Sequence, residues 1–280
     1  MSKTSQIIIA IVAVIVLALA GGYFGAGFRS GGAAGGTENG AWLQKIRDQG
    51  ELRVGIASAP PMTGEQPDGT MGGPNVLPLQ NLADEMGVKF TPVAAEWSKM
   101  VSGLQADRFD VGAYLDATSE RSLAIQFTDP VYTYEGVWIV KADSGLKSTD
   151  DIIKSGQGIA VASGTSYERR VQEFDVDIVS AEAIPQSITA MEAGRAVAAF
   201  GDLPTLADAA QKNSSLKIVR PNPVIFKSDS NYGVSSDIDD RSLQVLNIAI
   251  QNAKNDGSFQ AALDKAGVID PSDLGDLEMK

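Results

Sequence analysis

The 280-residue sequence contains no cysteine and no histidine. Without cysteine there is no disulfide and no thiol nucleophile. Without histidine there is no Ser-His-Asp triad. With both missing, Cys/His zinc sites are excluded too, and no side chain has an unperturbed pKa near neutrality. Positive charge is scarce as well. Lys and Arg number 23 against 35 Asp and Glu, giving a formal charge of −12 and a pI near 4.5. Phosphate backbones demand a basic surface, so nucleic acid is a poor partner. The acidic excess reads first as a source of solubility. Hydrophobic residues at 44% and charged residues at 21% remain ordinary for a globular chain, which argues against wholesale disorder. The length fits one or two domains with a sizeable core.

Charge is also missing from the N-terminal stretch between Lys3 and Arg29, where Ile7 to Ala20 is unbroken apolar sequence. A membrane span needs roughly 20 such residues. The run therefore suits a signal-peptide core, with Ala18-Leu19-Ala20 as a small-x-small cleavage site. Tyr23, Phe24 and Phe28 extend it without a charge, so a retained anchor is the alternative. Residues 1–28 are expected to be a signal peptide or N-terminal membrane anchor, and the Gly-rich 29–40 a flexible tether. Leu19-Ala20-Gly21-Gly22 resembles a lipoprotein signal, but Gly22 replaces the cysteine that would carry the lipid. The expected location is the periplasm or the outer face of the cell membrane, not as a lipoprotein. Any membrane contact would run only through the N-terminal segment.

Beyond the tether, β-rich runs alternate with amphipathic helical runs. Leu52–Ile56, Val88–Val93 and Phe109–Tyr114 read as strands. Helical spacing of Val76, Leu79, Leu82, Ala83 and Met86, and a run from Trp97 to Ala106, separate them. Strand, helix, strand in this order argues for a parallel sheet covered by helices. A second series follows Tyr134, with strands at 137–141, 159–162, 177–180, 196–200 and 216–219. Its helices include one opened by the capping box Ser148 to Asp151. No Walker loop, Rossmann glycine fingerprint or metal-ligand cluster occurs. Asp237, Asp239 and Asp240 lack EF-hand spacing and read as caps of the next helix. No cofactor and no metal site are expected.

Several segments, taken in order, resemble one family. They are Gly50-Glu51-Leu52-Arg53-Val54-Gly55-Ile56, Leu82 to Val88, Trp97 through Val111, Ala117-Thr118-Ser119-Glu120-Arg121 and Phe127-Thr128-Asp129-Pro130-Val131-Tyr132. Ser148 to Ile152, Gly158 to Thr165, and Glu192-Ala193-Gly194-Arg195 leading into Gly201-Asp202 complete the series. Their order and spacing resemble the extracellular solute-binding proteins, family 3, that serve polar amino-acid ABC transporters. The resemblance covers nearly all of residues 48 to 270. It implies an α/β, two-lobed type II periplasmic-binding-protein fold with a hinge and a ligand cleft between lobes. Lobe 1 would comprise 41–136 plus 229–280, and lobe 2 would comprise 137–228.

The implied function is capture of a small zwitterion by hinge closure and delivery to an ABC transporter permease. The zwitterion would be an amino acid, and a basic one fits the acidic cleft. No catalysis is expected. The alternatives are a cyclohexadienyl-dehydratase-like enzyme on the same fold and a tethered sensor domain. The resemblance puts a carboxylate-binding arginine at Arg121, whose planar fork suits that task. A surface ion pair with Glu120 is the plainer alternative. It puts an ammonium-binding acid at Asp202, a position that would equally suit a helix N-cap. Thr165 and Ser166 would meet a ligand carboxylate through backbone amides, although Thr165-x-x-Glu168 is also a capping box. Trp97 is either a ligand wall or core. Tyr114 ends the strand that leads to the site. Two departures stand out. Met62 follows Pro60-Pro61 where the family has an aromatic residue. Asp116 replaces a serine or threonine, so that two acids share the cleft with one arginine.

Overall fold

The computed structural model describes residues 40–66 and 68–269. The expected leader, and the tether up to residue 39, lie outside that range. Among the described residues no helix is long and apolar enough to cross a membrane. In chain order the helices are α1 (Ala41–Gln49), α2 (Leu77–Met86), α3 (Met100–Gln105), α4 (Ser119–Ser122), α5 (Thr149–Lys154), α6 (Ser166–Gln172), α7 (Ile184–Glu192), α8 (Leu203–Lys212), α9 (Asp240–Asn255) and α10 (Ser258–Lys265). The strands are β1 (Glu51–Ile56), β2 (Gly64–Glu65), β3 (Met71–Gly72), β4 (Lys89–Ala94), β5 (Val111–Asp116), β6 (Ile125–Phe127), β7 (Tyr132–Lys141), β8 (Ile159–Ala162), β9 (Ile178–Ala181), β10 (Ala198–Asp202), β11 (Leu216–Val219) and β12 (Lys227–Ser235).

One mixed sheet runs β4-β1-β5-β12-β7-β10-β8-β9, with β11 also on β7 and β6 also on β12. β4, β1 and β5 are mutually parallel, as are β10, β8 and β9. These are the two α/β series read from the sequence. Between them lie two antiparallel strands, of which β7 is expected from the sequence only from 137 onward and β12 is not announced by the sequence pattern. The first part of β7, Tyr132 to Glu135, pairs with Ser230 to Lys227 of β12. From Gly136 onward β7 pairs instead with Asp202 to Ala198 of β10. β7 therefore begins five residues earlier than the strand expected at 137. Its partner change at Glu135/Gly136 joins the two halves of the sheet. β12 carries Lys-Ser-Asp-Ser-Asn at its start and lacks alternating apolar residues. Neighbours on both sides, not propensity, make it a strand.

The helices form where caps and apolar spacing agree. Asp239 caps α9, its Oδ1 accepting from the Ser242 amide at 2.9 Å. Leu246, Ile250 and Ala253 then recur on one buried face. At the junction, Gly136 is required by packing: a Cβ there would lie 2.7 Å from the Phe200 ring and 3.0 Å from Phe226. The Phe200 ring in turn sits 4.4 Å from the wholly buried Trp138. Burying an aromatic side chain of this size contributes roughly 2–3 kcal/mol, so the junction is well packed.

Candidate functional site

Where the two halves of the sheet face each other, a tight cavity with about 10 Å3 of free space is lined by Trp97, Tyr114, Asp116, Arg121, Tyr134, Thr165, Tyr167, Ile184 and Asp202. That is room for about one water, so a solute enters only if the two sides part. Six of the seven residues singled out from the sequence are in this lining, and the seventh, Ser166, is bonded to one of them. Tyr134, Tyr167 and Ile184 were not foreseen. Each comes from an element whose own pattern reads as ordinary core, and only the tertiary fold turns it inward.

Asp202 ends β10 and begins α8. Its Oδ1 accepts from the Thr205 amide at 2.8 Å, so the N-cap role is real. Its Oδ2 is buried and has no well-formed hydrogen bond. Burial pushes the carboxyl up to about 6, a rise only partly offset by Thr205 and the neighbouring Tyr114 hydroxyl. The cap and an outward-facing free oxygen coexist on one carboxylate.

Tyr114 is held in a left-handed backbone conformation, φ +59°, inside β5. Opposite it the register of β12 shifts between Asn231 and Gly233. Such a bulge re-aims a side chain, and non-glycine residues tolerate this φ only where surrounding structure over-determines it. The Tyr114 hydroxyl is buried without a well-formed bond, as is the Trp97 indole N–H. Burial, reinforced by the charge of Asp202, raises the Tyr114 hydroxyl well above its ordinary range. Trp97 is only 6% exposed, yet it lines the cavity, so it serves as both core and wall. Ring centroids run Trp97–Tyr114 at 6.3 Å, Tyr114–Tyr134 at 5.6 Å and Tyr134–Tyr167 at 6.1 Å. These aromatic faces form a continuous wall.

Arg121 lies in α4, whose cap is Thr118. It does not pair with Glu120, which bonds Arg169 of α6 instead. Two of its guanidinium donors go to main-chain oxygens: Asp116 O at 3.1 Å and, across the cleft, Gly164 O at 2.8 Å. Its closest approach to the Asp116 carboxylate is 3.9 Å. That carboxylate is buried, which raises its pKa. The hydroxyl and amide of Ser166 and the charge of Arg121 act in the opposite direction.

Thr165 caps α6, accepting from the Glu168 amide at 3.2 Å and donating to Ala162 O at 2.6 Å. Glu168 closes the expected box one residue early, on the Gly164 amide at 2.8 Å. Gly164 has φ +76°, and a Cβ there would lie 2.6 Å from the Cα of Ser98. The two sides of the cleft meet at this glycine.

The Met62 departure is structural. Met62 is fully buried, and its carbonyl receives the Asn75 amide at 3.2 Å. Asn75 reaches across to Ser230 Oγ at 2.8 Å. Among the described residues, no three acidic side chains converge as a metal site would require.

The family model for bacterial extracellular solute-binding proteins, family 3, matches residues 52–267. The L-cystine-binding protein TcyJ of Escherichia coli K12 is 27% identical over 229 residues, 80% of this chain and 85% of its own length. The ABC transporter arginine-binding protein 1 of the same strain is 25% identical over 222 residues, 77% of this chain and 90% of its own. Among solved structures, the ancestral amino acid-binding protein AncCDT-1, a precursor of cyclohexadienyl dehydratase, matches at 27% identity. Its TM-score is 0.72, covering 80% of this chain and 98% of that one.

Proposed function

The chain belongs to the bacterial extracellular solute-binding proteins, family 3, and we propose that it captures a small amine-bearing solute and presents it to an ABC transporter permease. Its relatives carry the names of binding proteins, for amino acids such as cystine and arginine. The observation that carries the reading is the free, buried Oδ2 of Asp202 at the edge of an aromatic-walled cavity. A protonated amine is its natural partner: a charge-assisted hydrogen bond would relieve a carboxylate otherwise held in an unfavourable setting.

In this reading 41–136 with 229–280 form one lobe and 137–228 the other, and the β7 and β12 crossings act as the hinge. Trp97, Tyr114, Asp116 and Arg121 come from the first lobe. Thr165, Ser166, Tyr167 and Asp202 come from the second. A ligand touching both sides favours closure, because only the closed form satisfies it fully. The Arg121 bond to Gly164 and the Glu120–Arg169 pair support a closed arrangement. Export places this cleft outside the cytoplasmic membrane.

Calorimetric titration of the protein with a panel of amino acids and amines tests the reading. Saturable binding without turnover, lost in Asp202→Ala and Arg121→Ala, is expected. Unchanged affinity in both variants would sink the site.

A further inference from the structure

The cavity holds two acids, Asp116 and Asp202, and one cation, Arg121. The three sit in different company. Asp202 has the Thr205 amide on Oδ1 and the Tyr114 hydroxyl nearby, and its Oδ2 has no well-formed hydrogen bond and no cation beside it. Asp116 is surrounded: the Ser166 hydroxyl and amide bond its carboxylate, and the Arg121 guanidinium lies 3.9 Å away. A guanidinium, a hydroxyl and a main-chain amide are together the donors that a ligand carboxylate would need. In this chain the protein's own carboxylate faces them. Arg121 is further engaged by the Asp116 and Gly164 carbonyl oxygens.

We infer that the preferred ligand is a small organic cation without a carboxylate, a primary amine or guanidine, with Asp116 standing in for the acid group that an amino acid would bring. The inference rests on the receptor reading above and narrows its substrate class. Charge balance agrees. With both acids ionised the cavity carries one net negative charge. A neutral zwitterion would leave that charge buried and uncompensated, whereas a monocation cancels it. The rings of Trp97, Tyr114, Tyr134 and Tyr167 provide electron-rich faces for a cation, best where water is excluded. A ligand carboxylate would have to approach the Asp116 carboxylate within the same donor set, where like charges repel.

The test is calorimetry at about pH 7.5 on the full chain with matched pairs in which the amine is a monocation and the amino acid a neutral zwitterion: isoamylamine against L-leucine, phenethylamine against L-phenylalanine, histamine against L-histidine. The decarboxylated member is expected to bind at least about tenfold more tightly in the pair that fits the cavity. Asp116→Ser, which removes the internal carboxylate facing Arg121 and Ser166 while keeping the main-chain bonds of Arg121, should shrink or invert that preference. Equal or tighter binding of the amino acid in every pair overturns the inference and leaves the receptor reading standing. No binding of any member, by protein with a cooperative thermal transition, overturns both. If Asp116→Ser does not fold, the order within the wild-type pairs still decides.

Discussion

Lowering the pH should release an amine ligand, because the group that binds it titrates just below neutrality. Asp202 is wholly buried, and burial lifts its carboxyl from 3.8 to about 6. Only the ionised form offers a charge to an ammonium group. At about pH 7.5 nearly all of Asp202 would be ionised, and at about pH 5 roughly one molecule in ten. Affinity should therefore fall about tenfold across that range, or about 1.4 kcal/mol, and stay flat above about pH 7. The facing groups separate cleanly. The Tyr114 and Tyr167 hydroxyls are raised well above their ordinary range and stay neutral. Arg121 stays charged. Asp116 is also raised and sits in the same cavity, so Asp202→Asn is the necessary control: it should remove most of the slope and leave any part due to Asp116. Calorimetric titration of one amine at several pH values reads the effect. An affinity that changes less than about twofold, or a slope that survives intact in Asp202→Asn, would refute the argument.

The same carboxyl has a stability consequence of opposite sense. Its folded pKa lies above its unfolded one, so its contribution is most favourable below about pH 4. It falls as pH rises through about 6, by up to about 3 kcal/mol at neutrality. Asn caps a helix as well as Asp does, so Asp202→Asn should raise the ligand-free Tm near pH 7 while weakening amine binding; an unchanged or lower Tm in thermal melts would contradict this. Gly164→Ala places a methyl group 2.6 Å from Ser98 Cα and strains a φ of +76°. It should cost about 1 kcal/mol in folding, and small-angle scattering should show no ligand-induced compaction. Arg121→Ala leaves the buried Asp116 without its cation and should cost about 3 kcal/mol in urea titrations. Adding Asp116→Asn should recover part of that loss. Trp97→Leu keeps bulk but removes a π-face, and should weaken amine binding by about 0.5–2 kcal/mol.

The α/β class, most strands and helices, and the capping roles of Ser148, Thr165 and Asp239 are legible in the sequence because each depends on a few neighbouring residues. The same holds for Asp202, where a strand end and a helix start coincide. What escapes is what depends on distant partners. β12 is strand because β5 and β7 flank it, and its polar start hides that. Helix α1 is short, with Gly40 instead of a side-chain cap, and stands out little. The bulge at Tyr114 arises from one residue of mismatch with a strand more than a hundred positions later, and no local signal marks it. Tyr134 and Tyr167 look like any buried tyrosine until the two halves of the sheet bring them together. Asp116, flagged in the sequence as out of place, has Ser166 and Arg121 beside it, and neither neighbour is readable from its local sequence.

Where the local rules are broken is itself informative. The left-handed Tyr114, the unpaired Asp202 Oδ2, Tyr114 hydroxyl and Trp97 indole N–H all fall on one cavity. Elsewhere the buried Thr63, Thr128, Ser187 and Ser242 hydroxyls find partners, while Asn75 Oδ1, Arg170 Nε, Thr205 Oγ1 and Asn231 Oδ1 have no well-formed bond either. A fold selected for stability alone would have filled the cavity with apolar side chains and replaced Asp202 by Asn. Retaining an ionisable acid there costs about 3 kcal/mol at neutral pH. A cation pairing with it, as proposed, would recover a comparable amount. On the proposed two-lobed reading, capture and closure would be coupled through this carboxylate, because the ligand that relieves it must also touch the other side of the cleft.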